Sequence, residues 1–232
     1  MEAYTKLFKE EQELWKNWHA NGYLGNNFEE GLRGLLYHSE YAKSLFAKMK
    51  ISSDCTLRFF DINYVPNLKD WEILEIGCGF GLLGVPFIGK VKSYKGVDIA
   101  PNLIEKANQA WKNIGINSVS LFAVDEKGLD IFPDASFDFI FAENVFIHTP
   151  PAITRKYLEQ ISKKLKNSGR FLFEFNMKYD GTGVHRNTTE SYTPQELDEL
   201  FKNSGLKIVQ TIEEAEYFAP NQKGRHVFGG RF

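Results

Sequence analysis

The sequence predicts an α/β domain on a mainly parallel sheet with helices on both faces, and three observations carry the prediction. From residue 72 onward, apolar runs of strand length alternate with segments of helical period, the pattern of a parallel sheet wrapped by helices. The first run, Glu72-Ile73-Leu74-Glu75-Ile76, breaks into Gly77, Gly79 and Gly81 before apolar residues resume. Glycine accepts the backbone angles that a tight strand-to-helix turn demands, and it lets a ligand lie against the backbone. The next run closes on Asp98, 17 residues after Gly81. At about that spacing a carboxylate can accept hydrogen bonds from both ribose hydroxyls of a nucleotide-type ligand; the alternative is that Asp98 caps the helix beginning at Pro101.

Taken in order, residues 1–20 show a helical pattern with Leu7, Leu14, Trp15 and Trp18 among charges, and residues 28–50 a second, with Leu32, Leu35, Leu36, Leu45 and Phe46. Residues 51–70 are ambiguous. Residues 1–70 thus predict a helical lobe or cap belonging to the same domain as a core over 71–232. Within the core, strands are expected at 72–76, 93–98, 118–124, 137–143 and 170–177, and helices at 82–89, 101–113, 150–166 and 194–204. Thr149-Pro150 is an expected N-cap and first-turn proline. Behind it Ile153, Tyr157, Leu158, Ile161 and Leu165 form one apolar stripe. Thr193-Pro194-Gln195-Glu196 has a cap, a proline and the glutamate of a capping box. Residues 206–212 and 226–232 read as two closing strands.

The 232 residues suffice for one large domain, and 43% hydrophobic with 15% aromatic content supports a real core. A net charge of −2 argues against broad electrostatic capture of nucleic acid. The two cysteines, Cys55 and Cys78, fit no disulfide framework and suit a reducing compartment. No basic start followed by an apolar run marks a secretory signal, and no run of roughly 18 apolar residues predicts a membrane span. A cytoplasmic protein without membrane insertion is expected.

Gly79-Phe80-Gly81-Leu82-Leu83-Gly84 also fits the dinucleotide fingerprint G-x-G-x-x-G, a weak signal alone. Glu75, two residues before the first glycine, separates the readings: a carboxylate is a poor neighbour for a pyrophosphate, yet it can hold the loop or meet an ammonium group. With this pattern, E-x-G-C-G-x-G, the segment resembles the S-adenosylmethionine loop of class I methyltransferases. Pro133-Asp134-Ala135-Ser136-Phe137-Asp138-Phe139-Ile140 resembles the entry to strand four in the small-molecule members of that family, with Asp138 in a structural role. Together these motifs span residues 72–177.

The resemblance implies a Rossmann-like fold with a seven-stranded sheet in the order 3-2-1-4-5-7-6, strand seven antiparallel, and S-adenosyl-L-methionine as cofactor with S-adenosyl-L-homocysteine as product. It implies cofactor-binding roles for Glu75, Gly77, Cys78, Gly79, Gly81, Asp98 and Ile99. Asp125 is expected near the adenine amino group, with Glu126 beside it, although the loop that follows is about one residue longer than the family pattern. Glu143 and Asn144 would border the methionine half through their backbone. His148 stands where relatives carry a histidine at the edge of the methyl-transfer site; it is a candidate general base, the alternative being a histidine that orients a loop.

Outside these motifs, His185 lies in a polar stretch, and residues 178–192 are candidates to line an acceptor pocket. Arg33 and Tyr37 share a helical face that would fold over the cofactor or stay a plain surface. Lys163-Lys164-Leu165-Lys166 reads as the solvated end of a helix favouring its dipole. His19, His38 and His226 show no usable partner spacing, and no cluster has metal-ligand spacing. The expected activity is methyl transfer to a small-molecule or glycan-type acceptor, preferably at a hydroxyl oxygen. Transfer to a small amine, an NAD-dependent oxidoreductase and a non-catalytic methyltransferase-like module are the alternatives.

Overall fold

The computed structural model describes residues 2–20, 68–177, 190–213 and 223–231. They fall into two compact units, Met1–Glu126 and Lys127–Phe232. The expected helix over 28–50, with Arg33, Tyr37 and His38, lies outside the described residues, as do Cys55 and His185.

The first unit opens with helix α1 (Glu2–Ala20). Leu14, one of its expected apolar anchors, is 47% exposed, whereas Phe8 is buried. Gln12, one turn beyond Phe8, donates from Nε2 to the Ile99 carbonyl at 2.9 Å. The buried face therefore runs through positions four apart. Strand β1 (Glu72–Ile76) is followed by β2 (Ser93–Asp98), helix α2 (Pro101–Asn113) and β3 (Val119–Ala123). The three strands pair in parallel in the order β3-β2-β1. Helix α2 starts on Pro101 and buries Leu103, Ile104, Ala107, Ala110 and Trp111. The α-helix expected over 82–89 is a 3-10 helix, Leu82–Phe87. It contains Gly84 and Pro86, the two residue types least suited to an α-helix interior.

The second unit contains β4 (Phe137–Ala142), α3 (Pro151–Lys164), β5 (Leu165–Met177), β6 (Ser191–Tyr192), α4 (Pro194–Asn203), β7 (Leu206–Glu213) and β8 (Lys223–Arg231). Strand order is β4-β5-β8-β7, with β8 antiparallel to both neighbours. The short β6 pairs with the end of β5. With β6 set aside, the expected 3-2-1 holds in the first unit and the expected 4-5-7-6 in the second. Phe146, Phe171, Phe173, Phe175 and Phe201 are buried and in mutual ring contact. Gly229 lies opposite Phe171, where a Cβ would collide with the Lys207 carbonyl; the two outer strands close on β5 because that position is bare.

Two local expectations shift. Pro150, not Thr149, is the N-cap of α3, and Thr149 Oγ1 donates back to the Val145 carbonyl at 2.8 Å. A proline lacks the N–H, so Pro151 takes the first helical position at no cost. The lysine run is a solvated face only at Lys163, which is exposed: Lys164 is buried and pairs with Asp134 at 2.7 Å, and Lys166 pairs with Asp138 at 2.7 Å. The second pair ties Asp138 on β4 to β5. The capping box at Thr193 forms in full: Thr193 Oγ1 accepts from Glu196 N at 3.2 Å, and Glu196 Oε2 accepts from Thr193 N at 2.7 Å.

Candidate cofactor-binding site

In the first unit, β1 delivers the chain into a loop where Gly77, Gly79 and Gly81 have φ of 65°, 52° and 73°. All three are left-handed angles that side chains resist, so the glycines are required by conformation. Asp98 closes β2 beside this loop. Its Oδ2 accepts from Gly79 N at 3.0 Å and its Oδ1 from Ala100 N at 2.9 Å. One carboxylate thus fixes the loop and the approach to α2 together. Ionised carboxylate oxygens have further lone pairs, so ribose hydroxyls can still be met. Asp98 is 8% exposed.

The loop is held from several sides. Cys78 N donates to the Val97 carbonyl at 3.0 Å, and Trp111 Nε1 donates to the Phe80 carbonyl at 2.9 Å. Burial, then the Glu75 and Asp98 carboxylates, push the Cys78 thiol well above its usual pKa; it stays protonated and is no nucleophile. Glu75 is 2% exposed, and it accepts a hydrogen bond from the Tyr94 hydroxyl. Asp125 is exposed just past β3, and Glu126 half-buried. Burial and then Glu126 raise the pKa of Tyr4 on α1 to about 12. Ile99, half-buried, offers its carbonyl to Gln12.

In the second unit, β4 ends at Ala142 and the chain turns through Glu143 and Asn144. Asn144 has φ 56°, and asparagine tolerates that region better than most residues. Glu174 Oε2 on β5 accepts from Asn144 N at 2.9 Å and anchors the turn. The Glu143 carboxylate is buried, with both oxygens 3.2 Å from His226 Nε2 on β8. His148 is half-buried in the turn closed by His148 N donating to the Val145 carbonyl at 2.9 Å.

Glu174 and His226 are residues that the sequence reading missed. Glu143, Glu174 and His226 are all buried, with ligand-type atoms within 4.8 Å of one another. Only the adjacency of three strands brings them together, so no sequence spacing signals it.

A glycine loop at the end of a parallel strand, with a carboxylate from the next strand bonded to it, is the arrangement on which α/β folds hold nucleotide-type ligands. Residues 73–169 match the family model for a methyltransferase domain. Aklanonic acid methyltransferase from a Streptomyces species is 30% identical over 139 residues, 59% of this chain and 59% of that protein. An uncharacterised methyltransferase of Schizosaccharomyces pombe is 24% identical over 188 residues, 73% of this chain and 64% of that protein. The chain thus spans 59–64% of the length of these two relatives. The crystal structure of magnesium protoporphyrin IX methyltransferase from Synechocystis with bound S-adenosylmethionine superposes with a TM-score of 0.61 at 15% identity, covering 95% of this chain and 97% of that one.

Over residues 73–169 the chain is thus similar to methyltransferase domains, and its fold is that of the solved S-adenosylmethionine-dependent methyltransferase. No described helix is long and apolar enough to cross a membrane.

Proposed function

We propose that the chain transfers the methyl group of S-adenosylmethionine to a small-molecule or sugar-type acceptor, at a hydroxyl oxygen. The observation that carries the cofactor reading is the loop itself: three left-handed glycines, with Gly79 N bonded to the carboxylate that closes β2. Such a loop offers bare backbone and a ribose acceptor, and Glu75 beneath it disfavours a pyrophosphate. The small-molecule reading is supported by the similarity to a methyltransferase named for aklanonic acid.

In the reaction, a lone pair of the acceptor oxygen forms a bond to the sulfonium methyl in line with the breaking C–S bond. The bonding pair returns to sulfur, giving S-adenosylhomocysteine, and the hydroxyl proton passes to a base. Charge on sulfur disappears, so holding the reactants close and aligned supplies much of the acceleration. His148 is the proposed base; an imidazole takes a proton near neutral pH. Asp98 and the loop are assigned to the adenosine and methionine parts, Asp125 and Glu126 to the adenine, and the backbone of Glu143 and Asn144 to the methionine half.

Calorimetric titration with S-adenosylmethionine, S-adenosylhomocysteine and NAD tests the reading. Saturable binding of the first two, weakened at least tenfold in Asp98→Ala, with no binding of NAD, is expected. Binding of NAD alone would overturn it. His148→Ala should lower turnover of a methyl acceptor by about a hundredfold if it is the base, while leaving S-adenosylhomocysteine affinity within twofold; unchanged turnover removes it from the mechanism.

A further inference from the structure

Tyr94 is a buried polar side chain on β2 of the first unit. Its hydroxyl donates to Glu75 Oε2, across from β2 to the last turn of β1 before the glycines. Its ring stacks on Phe87 with centroids 6.2 Å apart and planes 15° from parallel. The ring also lies against Gly84, where a Cβ would collide with Tyr94 Cζ. Gly84 and Phe87 belong to the 3-10 helix Leu82–Phe87, which leaves the glycine loop directly at Gly81.

One side chain therefore grips both ends of the loop: the hydroxyl holds the carboxylate that precedes Gly77, and the ring seats the helix that follows Gly81. Gly84 then has a packing reason of its own, so the third glycine of G-x-G-x-x-G needs no dinucleotide to explain it. Tyr94 is 2% exposed and Glu75 equally buried, so neither is placed as a surface contact for solvent.

We propose that Tyr94 is a positioning residue for the cofactor, acting through Glu75 and the 3-10 helix to hold the backbone of Gly77–Gly81 in the shape that receives the amino-acid end of S-adenosylmethionine. This rests on the cofactor reading above. Its consequence is selective. Loss of the hydroxyl loosens the two ends of the loop, whereas the ribose carboxylate keeps its bond to Ala100, outside the loop. The cofactor's amino-acid end should feel the change and its adenosine end should not.

The test uses S-adenosylhomocysteine and 5′-methylthioadenosine, which shares the adenosine end but lacks the amino acid. Both are titrated into the wild-type chain, Tyr94→Phe, Glu75→Gln and the double variant, well below each melting temperature. Tyr94→Phe keeps the ring against Gly84 and Phe87 and should weaken S-adenosylhomocysteine about tenfold, as expected for a lost hydrogen bond to a charged group, while methylthioadenosine changes less than twofold. Amide exchange at residues 77–81 should quicken, and the double variant should be little weaker than either single one. Equal losses for the two ligands, or S-adenosylhomocysteine affinity within twofold of wild type, would overturn the proposal. Should Tyr94→Phe fail to fold, Glu75→Gln carries the same ligand comparison. A wild-type chain that binds methylthioadenosine but not S-adenosylhomocysteine, or neither, overturns the cofactor reading and this inference with it.

Discussion

At the scale of the residue, Gly81 is a loop position that tolerates change less than Gly79, whose Cβ would meet nothing closer than 3.9 Å. The φ of Gly81 is +73°, and a Cβ there would sit 3.1 Å from Leu121 Cδ2 and 3.4 Å from Trp111 Nε1. Gly89 offers the matched control, with φ +72° and nothing within 4 Å. Gly89→Ala should cost about 1 kcal/mol, the strain of a left-handed alanine alone. Gly81→Ala adds crowding and should cost about 2–3 kcal/mol. The difference is measured by urea denaturation of both variants. S-adenosylhomocysteine affinity should fall in Gly81→Ala and hold in Gly89→Ala. Equal stability losses would mean that Leu121 and Trp111 give way freely. This position was legible in the sequence because its reason is local: a turn of this shape needs bare backbone whatever surrounds it. The partner of Glu75 was not, since Tyr94 stands 19 residues away and meets it only through parallel pairing of β1 with β2.

At the scale of the element, α3 and α4 differ in how they are secured. Helix α4 has the reciprocal capping box read directly from Thr193 and Glu196, and Thr193→Ala should cost about 1 kcal/mol in chemical denaturation. Helix α3 has no side-chain cap; its C-terminal turn is tied instead by Lys164 to Asp134. The two partners differ in setting, the lysine side chain being 7% and the aspartate 68% exposed. The hydrogen bond from Lys164 holds the Asp134 carboxyl below its usual pKa. A depressed carboxylate pKa stabilises the fold above the unfolded value, and this contribution is lost as pH falls through the folded one. Asp134→Asn should therefore lower the melting temperature at neutral pH, and the gap to wild type should close in acid below the ordinary carboxylate range. A gap independent of pH would show that the lysine finds other company. The lysine run looked solvated in sequence because its partner lies 30 residues upstream, beyond any helical period.

At the scale of the whole molecule, the strand-and-helix alternation of the described core residues was largely legible, because apolar period and turn residues are local signals. What escaped was the polar interior of the sheet: Glu143, Glu174 and His226 meet only because β4, β5 and β8 are neighbours. Removing His226 leaves the buried Glu143 carboxylate without that partner, so His226→Ala should cost about 3 kcal/mol. Buried tyrosines carry the same lesson into the pH dependence of the fold. Burial first, then Glu75 and Cys78, raise Tyr94 well above its ordinary pKa; burial first raises Tyr192 to about 12, as it does Tyr4. For each, the folded value exceeds the unfolded one of about 10. Their contribution is complete below pH ~10 and is lost as pH climbs from there. Melting temperature should hold near neutral pH and fall steeply from about pH 10 to 12. Tyrosinate absorbance should rise in two stages, with Tyr94 ionising only as the fold is lost. Tyr94→Phe should flatten the alkaline slope by about one proton. A single tyrosinate transition near pH 10, with circular dichroism unchanged across it, would mean that the Tyr94 hydroxyl is open to solvent and does not hold Glu75.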